Sequence, residues 1–340
     1  MVDFVKNEIL AAGNLIQIIS QSRQNALKKV NEELIQMYWK VGEYLRTESI
    51  KASFGDAYID TVVEEIQNAF PGIKGFNRRG LYRMKKFYET YADDEFVTTL
   101  LSQISWSNHL AIISKAKTPE ERHFYITLCI KENYSARELA RQIDSGYYER
   151  YMLSKEKLLP EPIKGLKENP FLDSYVIEFL DLPSNFKEPD LRKGLIRNMK
   201  DFILEVGRDF TFIDEEFRVQ VGGEDYKIDL LFFHRGLQCL VAFELKIGKF
   251  KPEYISKMDF YLEALDRQKK KENENPSVGM ILCASKDDEV VEYAMSRTLS
   301  PMMVAEYQLQ LPDKNVLQKK LQELINIPLL EDDISKQDEN

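Results

Sequence analysis

Between Asp225 and Lys246 the chain reads DYKIDLLFFHRGLQCLVAFELK, two apolar runs that flank a polar turn. Runs of this length bounded by His234-Arg235-Gly236-Leu237 read as a pair of strands joined by a turn. Side chains alternate along a strand, so Glu244 and Lys246 point to one face. A hairpin brings Asp229, on the first run, beside them. Two carboxylates and an amine then converge in an otherwise greasy sheet. Such charges are costly to bury without partners, and a divalent metal ion is the usual partner. Metal-assisted phosphodiester hydrolysis is the chemistry such a set suits.

The elements around this hairpin place it in an α/β domain. Asp173–Leu182 reads as a short helix. Glu188-Pro189 opens a longer one, with Leu191, Leu195, Met199, Phe202 and Val206 on one stripe and Glu205 at its edge. Strand-like runs follow at Phe217–Val221, Tyr226–Phe233 and Gln238–Leu245. A helix from Pro252 to about Asp266, a buried strand at Val278–Cys283, a helix at Asp287–Arg297 and a last strand at Met302–Tyr307 complete the series. Residues 326–340 are polar and acidic, and are expected to be a disordered tail.

The first 150 residues carry no strand signal of this kind. Leu34, Ile35, Tyr38, Val41 and Leu45 recur at helical spacing, and Thr118-Pro119-Glu120-Glu121 and Ser135-Ala136-Arg137-Glu138 match capping boxes. Pro71, Gly72 and Gly75 interrupt two helices, and Asn77 suits the N-cap of the second. With a proline-rich connection at 151–170, the expectation is a helical domain over 1–150 and an α/β domain over 171–325.

Composition narrows the alternatives. A net charge of −9 excludes a wholly basic nucleic-acid coat but permits basic patches. Only three histidines and three scattered cysteines are present, too few for a His/Cys zinc centre, and Cys129, Cys239 and Cys283 read as buried hydrophobes. No apolar run reaches membrane-spanning length, and the N-terminus lacks a leader pattern, so a cytoplasmic location is expected.

The order Glu205, Asp229, Glu244, Lys246 resembles the PD-(D/E)xK nuclease superfamily. The stretches LEVGRDFTFI, DYKIDLLFFH, CLVAFELKIGKFKPE, FYLEALD, VGMILCASKD and VAEYQLQLP are similar to the YhcG family of predicted nucleases within it. So are VNEELIQMYWKVGEYL, FPGIKGFNRRGLYRMKKFY, QISWSNHL and YSARELARQIDSGYYER, so the resemblance covers nearly all of residues 15–312. It implies a helical N-terminal domain and a restriction-endonuclease-like αβββαβ domain with a mixed central sheet. It implies Asp229, Glu244 and Glu205 as metal-binding acids with the Leu245 carbonyl, Lys246 as the motif lysine, and Mg²⁺ or Mn²⁺ as the cofactor. Related sequences tend to carry Gly-Gln where this chain has Ser256-Lys257, which leaves Lys257 as a phosphate contact.

Nucleic acid, foremost DNA, is the partner such an activity implies. Arg79, Arg83 and Lys86 share one helix face, with Arg78, Lys74 and Lys85 extending the basic patch, while Leu81, Met84 and Tyr88 lie opposite. With the PGIKG turn this resembles a helix-turn-helix, whose second helix enters the major groove. A solvated basic face on a helical hairpin fits the same residues. Arg192, Lys193, Arg197 and Lys200 form a second basic set near the acids. Two readings of the whole remain open: a metal-dependent nuclease, acting as a possible homodimer on duplexes, or a non-catalytic binding or regulatory protein that uses the nuclease fold as a module.

Overall fold

The computed structural model describes residues 2–51, 56–155 and 170–325. The greater part of the 151–170 connection and the whole 326–340 tail therefore lie outside the described residues. The chain forms two compact units, Met1–Ile143 and Asp144–Asn340. The division falls before Arg150, because the helix that carries Arg150 packs within the second unit.

The first unit is helical throughout its described residues. It comprises α1 (Val2–Lys51), α2 (Asp56–Ala69), α3 (Arg78–Tyr91), α4 (Glu95–Leu100), α5 (Trp106–Lys115), α6 (Pro119–Glu132) and α7 (Ala136–Asp144), with a 3-10 turn at Leu101–Gln103. The capping signals act as read. Asn77 accepts from the Gly80 N–H at 2.8 Å, Thr118 from Glu121 N–H at 3.2 Å, and Ser135 exchanges bonds with Glu138 in both directions. Glu121 departs in detail, since its carboxylate reaches the Lys117 N–H, one residue before the cap.

The second half of α1 packs on α3 through Leu45, Leu81 and Met84, and Ile35 is buried on the same helix. Trp39, Phe87, Tyr91 and His109 stack edge to face beside them. Leu34, read with this stripe, is instead 39% exposed. His109 is fully buried, bonded to the Leu101 carbonyl at 2.8 Å, and burial pulls its pKa down to about 4, so it is a neutral core residue.

The second unit holds α8 (Tyr147–Lys155), β1 (Ser174–Val176), α9 (Glu188–Arg197), α10 (Met199–Val206), β2 (Phe210–Val221), β3 (Glu224–His234), β4 (Cys239–Lys249), α11 (Glu253–Gln268), β5 (Val278–Ser285), α12 (Asp288–Met295), β6 (Met302–Gln308) and α13 (Lys314–Ile325). The six strands make one sheet in the order β1-β6-β5-β4-β3-β2. β2, β3 and β4 are antiparallel neighbours, whereas β4, β5, β6 and β1 run parallel, so the sheet is mixed. One face is covered by Leu191, Leu195, Phe202 and Val206 of α9 and α10, the other by Ile255, Met258, Leu262 and Leu265 of α11. Central strands buried on both faces read as the continuous apolar runs seen at 239–243 and 278–283.

Two expectations are corrected. Asp173–Leu182 is not a helix: Tyr175, Val176 and Ile177 are all fully buried, and Ser174–Val176 pairs with Glu306–Gln308 as the sheet edge. Three consecutive buried residues do not fit a one-faced helix. The helix opened by Pro189 breaks at Asn198, whose side chain and N–H both bond the Gly194 carbonyl. Cys129, Cys239 and Cys283 are buried thiols, as read, and burial pushes their pKa values up to about 11, 12 and 11. No helix among the described residues is long and apolar enough to cross a membrane.

Gly42 sets the spacing of α1 on α3, since a Cβ there would lie 2.2 Å from the Met84 carbonyl oxygen. Backbone does not yield as a side chain does. Gly42→Ala is therefore expected to destabilise the first unit by about 1–3 kcal/mol, measured as a lowered urea midpoint followed by tryptophan fluorescence.

Candidate active site

The site is built where a ladder stops. β3 and β4 pair from His234↔Cys239 to Leu230↔Phe243, and no further. At the next position Asp229 turns its carboxylate across the gap and accepts the Leu245 N–H at 2.8 Å. A side chain thus replaces a backbone acceptor, and the two strands splay. A residue's N–H and C=O point to the same side of a strand, so the Leu245 carbonyl faces the same gap. Glu244 and Lys246 flank it on one face, as their spacing requires.

Glu244 is buried and its Oε1 receives Lys246 Nζ at 2.8 Å. Lys257, from α11, contacts the same oxygen. Glu244 Oε2 is buried with no hydrogen-bond partner. Asp229 has its pKa raised, by burial first and then by the charge of Glu244, against which the Leu245 N–H acts. Burial pulls the Lys246 pKa down, but the hydrogen bond and charge of Glu244 outweigh it and leave the ammonium held above its ordinary value. Lys257 behaves in the same way and rides over the Tyr261 ring, its nitrogen 5.3 Å from the centroid. Tyr261 is itself fixed by a 2.6 Å bond to the Lys227 carbonyl.

Two residues not read as part of the site belong to it. Glu188, at the start of α9, lies 3.3 Å from Lys246 Nζ. Arg192, one turn later on the same helix face, stands 3.4 Å from Asp229 and 3.5 Å from Glu216. The sequence signal was the i, i+4 spacing of Glu188 and Arg192 behind Pro189. The sequence places Arg192 with Lys193, Arg197 and Lys200 in one basic set. Arg192 turns inward instead, because Asp229, Glu215 and Glu216 draw it there.

Glu205 is fully buried and accepts from Arg150 Nη1 and the Val176 N–H at 2.8 Å each. Arg150 also donates to the carbonyls of Ser145 and Ser174 and to the Ser145 hydroxyl. Glu205 therefore ties α8, β1 and α10 together. His234 is structural too: its Nδ1 accepts from the Leu237 N–H and closes the β3–β4 turn.

On α3, Arg79, Arg83 and Lys86 are exposed and lie opposite the buried Leu81 and Met84. Arg78 is bound to Asp60 at 2.7 Å, and its guanidinium lies over Tyr82. Gly72 and Gly75, at φ 80° and 89°, make the turn between α2 and α3.

Among the described residues no three His, Cys, Asp or Glu side chains stand close enough together to hold an ion by themselves. The donor set nevertheless fits a small hard cation. Mg²⁺ is held by one or two carboxylates, with water and phosphate oxygens completing its shell. Asp229, the Leu245 carbonyl and the unpartnered Glu244 Oε2 are such a set, and two crowded carboxylates are what a divalent charge relieves.

A lysine beside an acid pair, at the splayed end of a hairpin in a mixed sheet, defines a domain of the restriction-endonuclease-like class. Residues 168–322 match the family described as the YhcG PDDEXK nuclease domain, and residues 14–150 match the DUF1016 N-terminal domain. The chain thus carries a YhcG-type PDDEXK nuclease domain behind a DUF1016 N-terminal domain, and PDDEXK nucleases typically use divalent metal ions. It is 27% identical to "Putative nuclease YhcG" of Escherichia coli (strain K12) over 346 residues, which covers 90% of this chain and 92% of that protein. Among solved structures, a repair endonuclease from Pyrococcus abyssi matches 38% of this chain and 50% of its own at 15% identity, TM-score 0.26. EndoMS in complex with dsDNA matches 39% of this chain and 48% of its own, at 15% identity and the same TM-score.

Two outcomes follow from this geometry. Lys257 competes with any cation for Glu244, so Lys257→Gln is expected to tighten Mn²⁺ binding by about tenfold in calorimetry, the effect of removing one neighbouring charge. Arg150→Ala leaves Glu205 as an unpaired buried charge and is expected to cost about 3–5 kcal/mol, seen as a lowered melting transition of the second unit.

Proposed function

We propose that the chain is a metal-dependent DNA endonuclease. The observation that carries this reading is the convergence of Asp229, Glu244 and Lys246 at the splayed end of β3 and β4, with Glu244 Oε2 buried and unpartnered. Mg²⁺ or Mn²⁺ at that place supplies charge stabilisation on the phosphate and an acidified water near neutral pH. Asp229, Glu244 and the Leu245 carbonyl would hold the ion. Lys246, steadied by Glu188 and by the Tyr254 ring, presents its ammonium to the attacking water or the phosphate. Lys257, half exposed at the mouth of the site, meets a neighbouring phosphate. Arg192 keeps Asp229 oriented.

The basic face of α3 is the proposed DNA contact of the helical unit. Arg79, Arg83 and Lys86 project from one side of a well-capped helix that follows a short turn, an arrangement suited to the major groove, with Arg78 beside them. Phosphate contacts of this kind give affinity that falls steeply with salt.

A second reading is favoured by one observation: Lys246 and Lys257 both occupy Glu244 Oε1, a self-neutralised state that suits a non-catalytic binding protein. The two readings separate in one experiment. Purified full-length protein is incubated with Mg²⁺ or Mn²⁺ and linear, circular, branched and single-stranded DNA. Cleavage is expected, and Asp229→Ala, Glu244→Ala or Lys246→Ala is each expected to lower it by at least about 10³-fold, the scale of lost electrostatic catalysis, with the melting transition retained. Binding without cleavage under every condition would establish the non-catalytic reading. Replacing Arg79, Arg83 and Lys86 with alanine is expected to weaken DNA binding and flatten its salt dependence in a fluorescence-anisotropy titration.

A further inference from the structure

We propose that the N-terminal half of α1 is a docking surface for a second copy of this chain, paired antiparallel. Its contacts end early: Asn31 caps the Ser102 and Ile104 carbonyls, and Ile35 and Leu45 are buried, but residues 14–30 are exposed without exception. Within that exposed stretch Ile16, Ile19, Leu27 and Val30 are each more than half exposed, and Leu34 continues the row.

This apolar row is not the frayed end of the core stripe. Carried back from Ile35 and Asn31 at helical spacing, the face that is buried further along α1 reads Lys28, Gln24 and Gln17, all polar. The apolar row lies roughly 100° around the helix from it. Its spacing is that of a coiled-coil seam: Ile16, Ile19, Arg23, Ala26, Val30 and Glu33 follow one another by three and four residues in alternation. In the sequence the same alternation runs back through Ala12, Ile9 and Val5. Such a seam is self-complementary, which is the requirement for a two-fold contact between identical chains.

Charge selects the direction. In a parallel pair Arg23 would meet Arg23 of the second copy in the seam. In an antiparallel pair centred near Lys28, Arg23 faces Glu33 and Ala26 faces Val30 of the second copy. Ala26 leaves room for close approach there. Both charged residues are exposed, and Glu33 is shared only with Lys29 on its own helix among the recorded contacts. The inference does not rest on the nuclease reading, since the surface is in the helical unit and includes none of the residues of the candidate site.

Sedimentation velocity of the full-length chain tests it. A dimer is expected at about 100 µM protomer. Ile19→Asp with Val30→Asp is expected to give a monomer of unchanged helical circular dichroism. Arg23→Glu and Glu33→Arg singly are each expected to weaken the dimer by about tenfold, and the double exchange to restore it. A wild-type chain that is monomeric at this concentration overturns the proposal, whether or not it sediments with phosphatidylcholine vesicles. A dimer that survives the two aspartates overturns the surface, and a charge exchange that fails to rescue overturns the antiparallel register.

Discussion

The second unit is organised around a missing hydrogen bond. At Leu230↔Phe243 the β3–β4 ladder has nothing further to pair, and Asp229 takes the Leu245 N–H in place of a backbone carbonyl. That substitution opens the strands. It also fixes a carboxylate within an apolar sheet without leaving a donor unsatisfied. Everything else at the site is a response to the two acids thus brought together. Lys246 shares their face, Lys257 comes from α11, and Arg192 from α9. Three cations around two acids is what burial in low dielectric demands of a state without a bound ion.

The placement of those cations differs in kind. Lys246 is nearly buried and is held on both sides, by Glu244 and Glu188. Lys257 reaches in from a more exposed position and rests on an aromatic ring. Exposed ion pairs are weak and easily exchanged, whereas a buried, doubly held one is not. The site therefore has one fixed ammonium and one that is free to change partner.

Much of this was legible in the chain. Period-two alternation put Glu244 beside Lys246, and the turn at 234–237 put Asp229 opposite, because both are local consequences of strand geometry. The capping residues Asn77, Thr118 and Ser135 were legible for the same reason. The partner of Glu205, Arg150, lies 55 positions away. No local pattern announces that pairing. The edge strand at Ser174–Val176 was misread as helix because its identity comes from β6, supplied much later in the chain. Glu188 was visible only as a helix start, and the break at Asn198 hid how the two halves of that helix divide their roles.

The buried thiols have a practical corollary. Cys129, Cys239 and Cys283 lack solvent access, and desolvation keeps each protonated well above neutral pH. The native fold is accordingly silent towards maleimide reagents. A single cysteine engineered on any exposed helix can carry a fluorophore or spin label in the otherwise natural sequence, without first stripping the three that the cores need for packing.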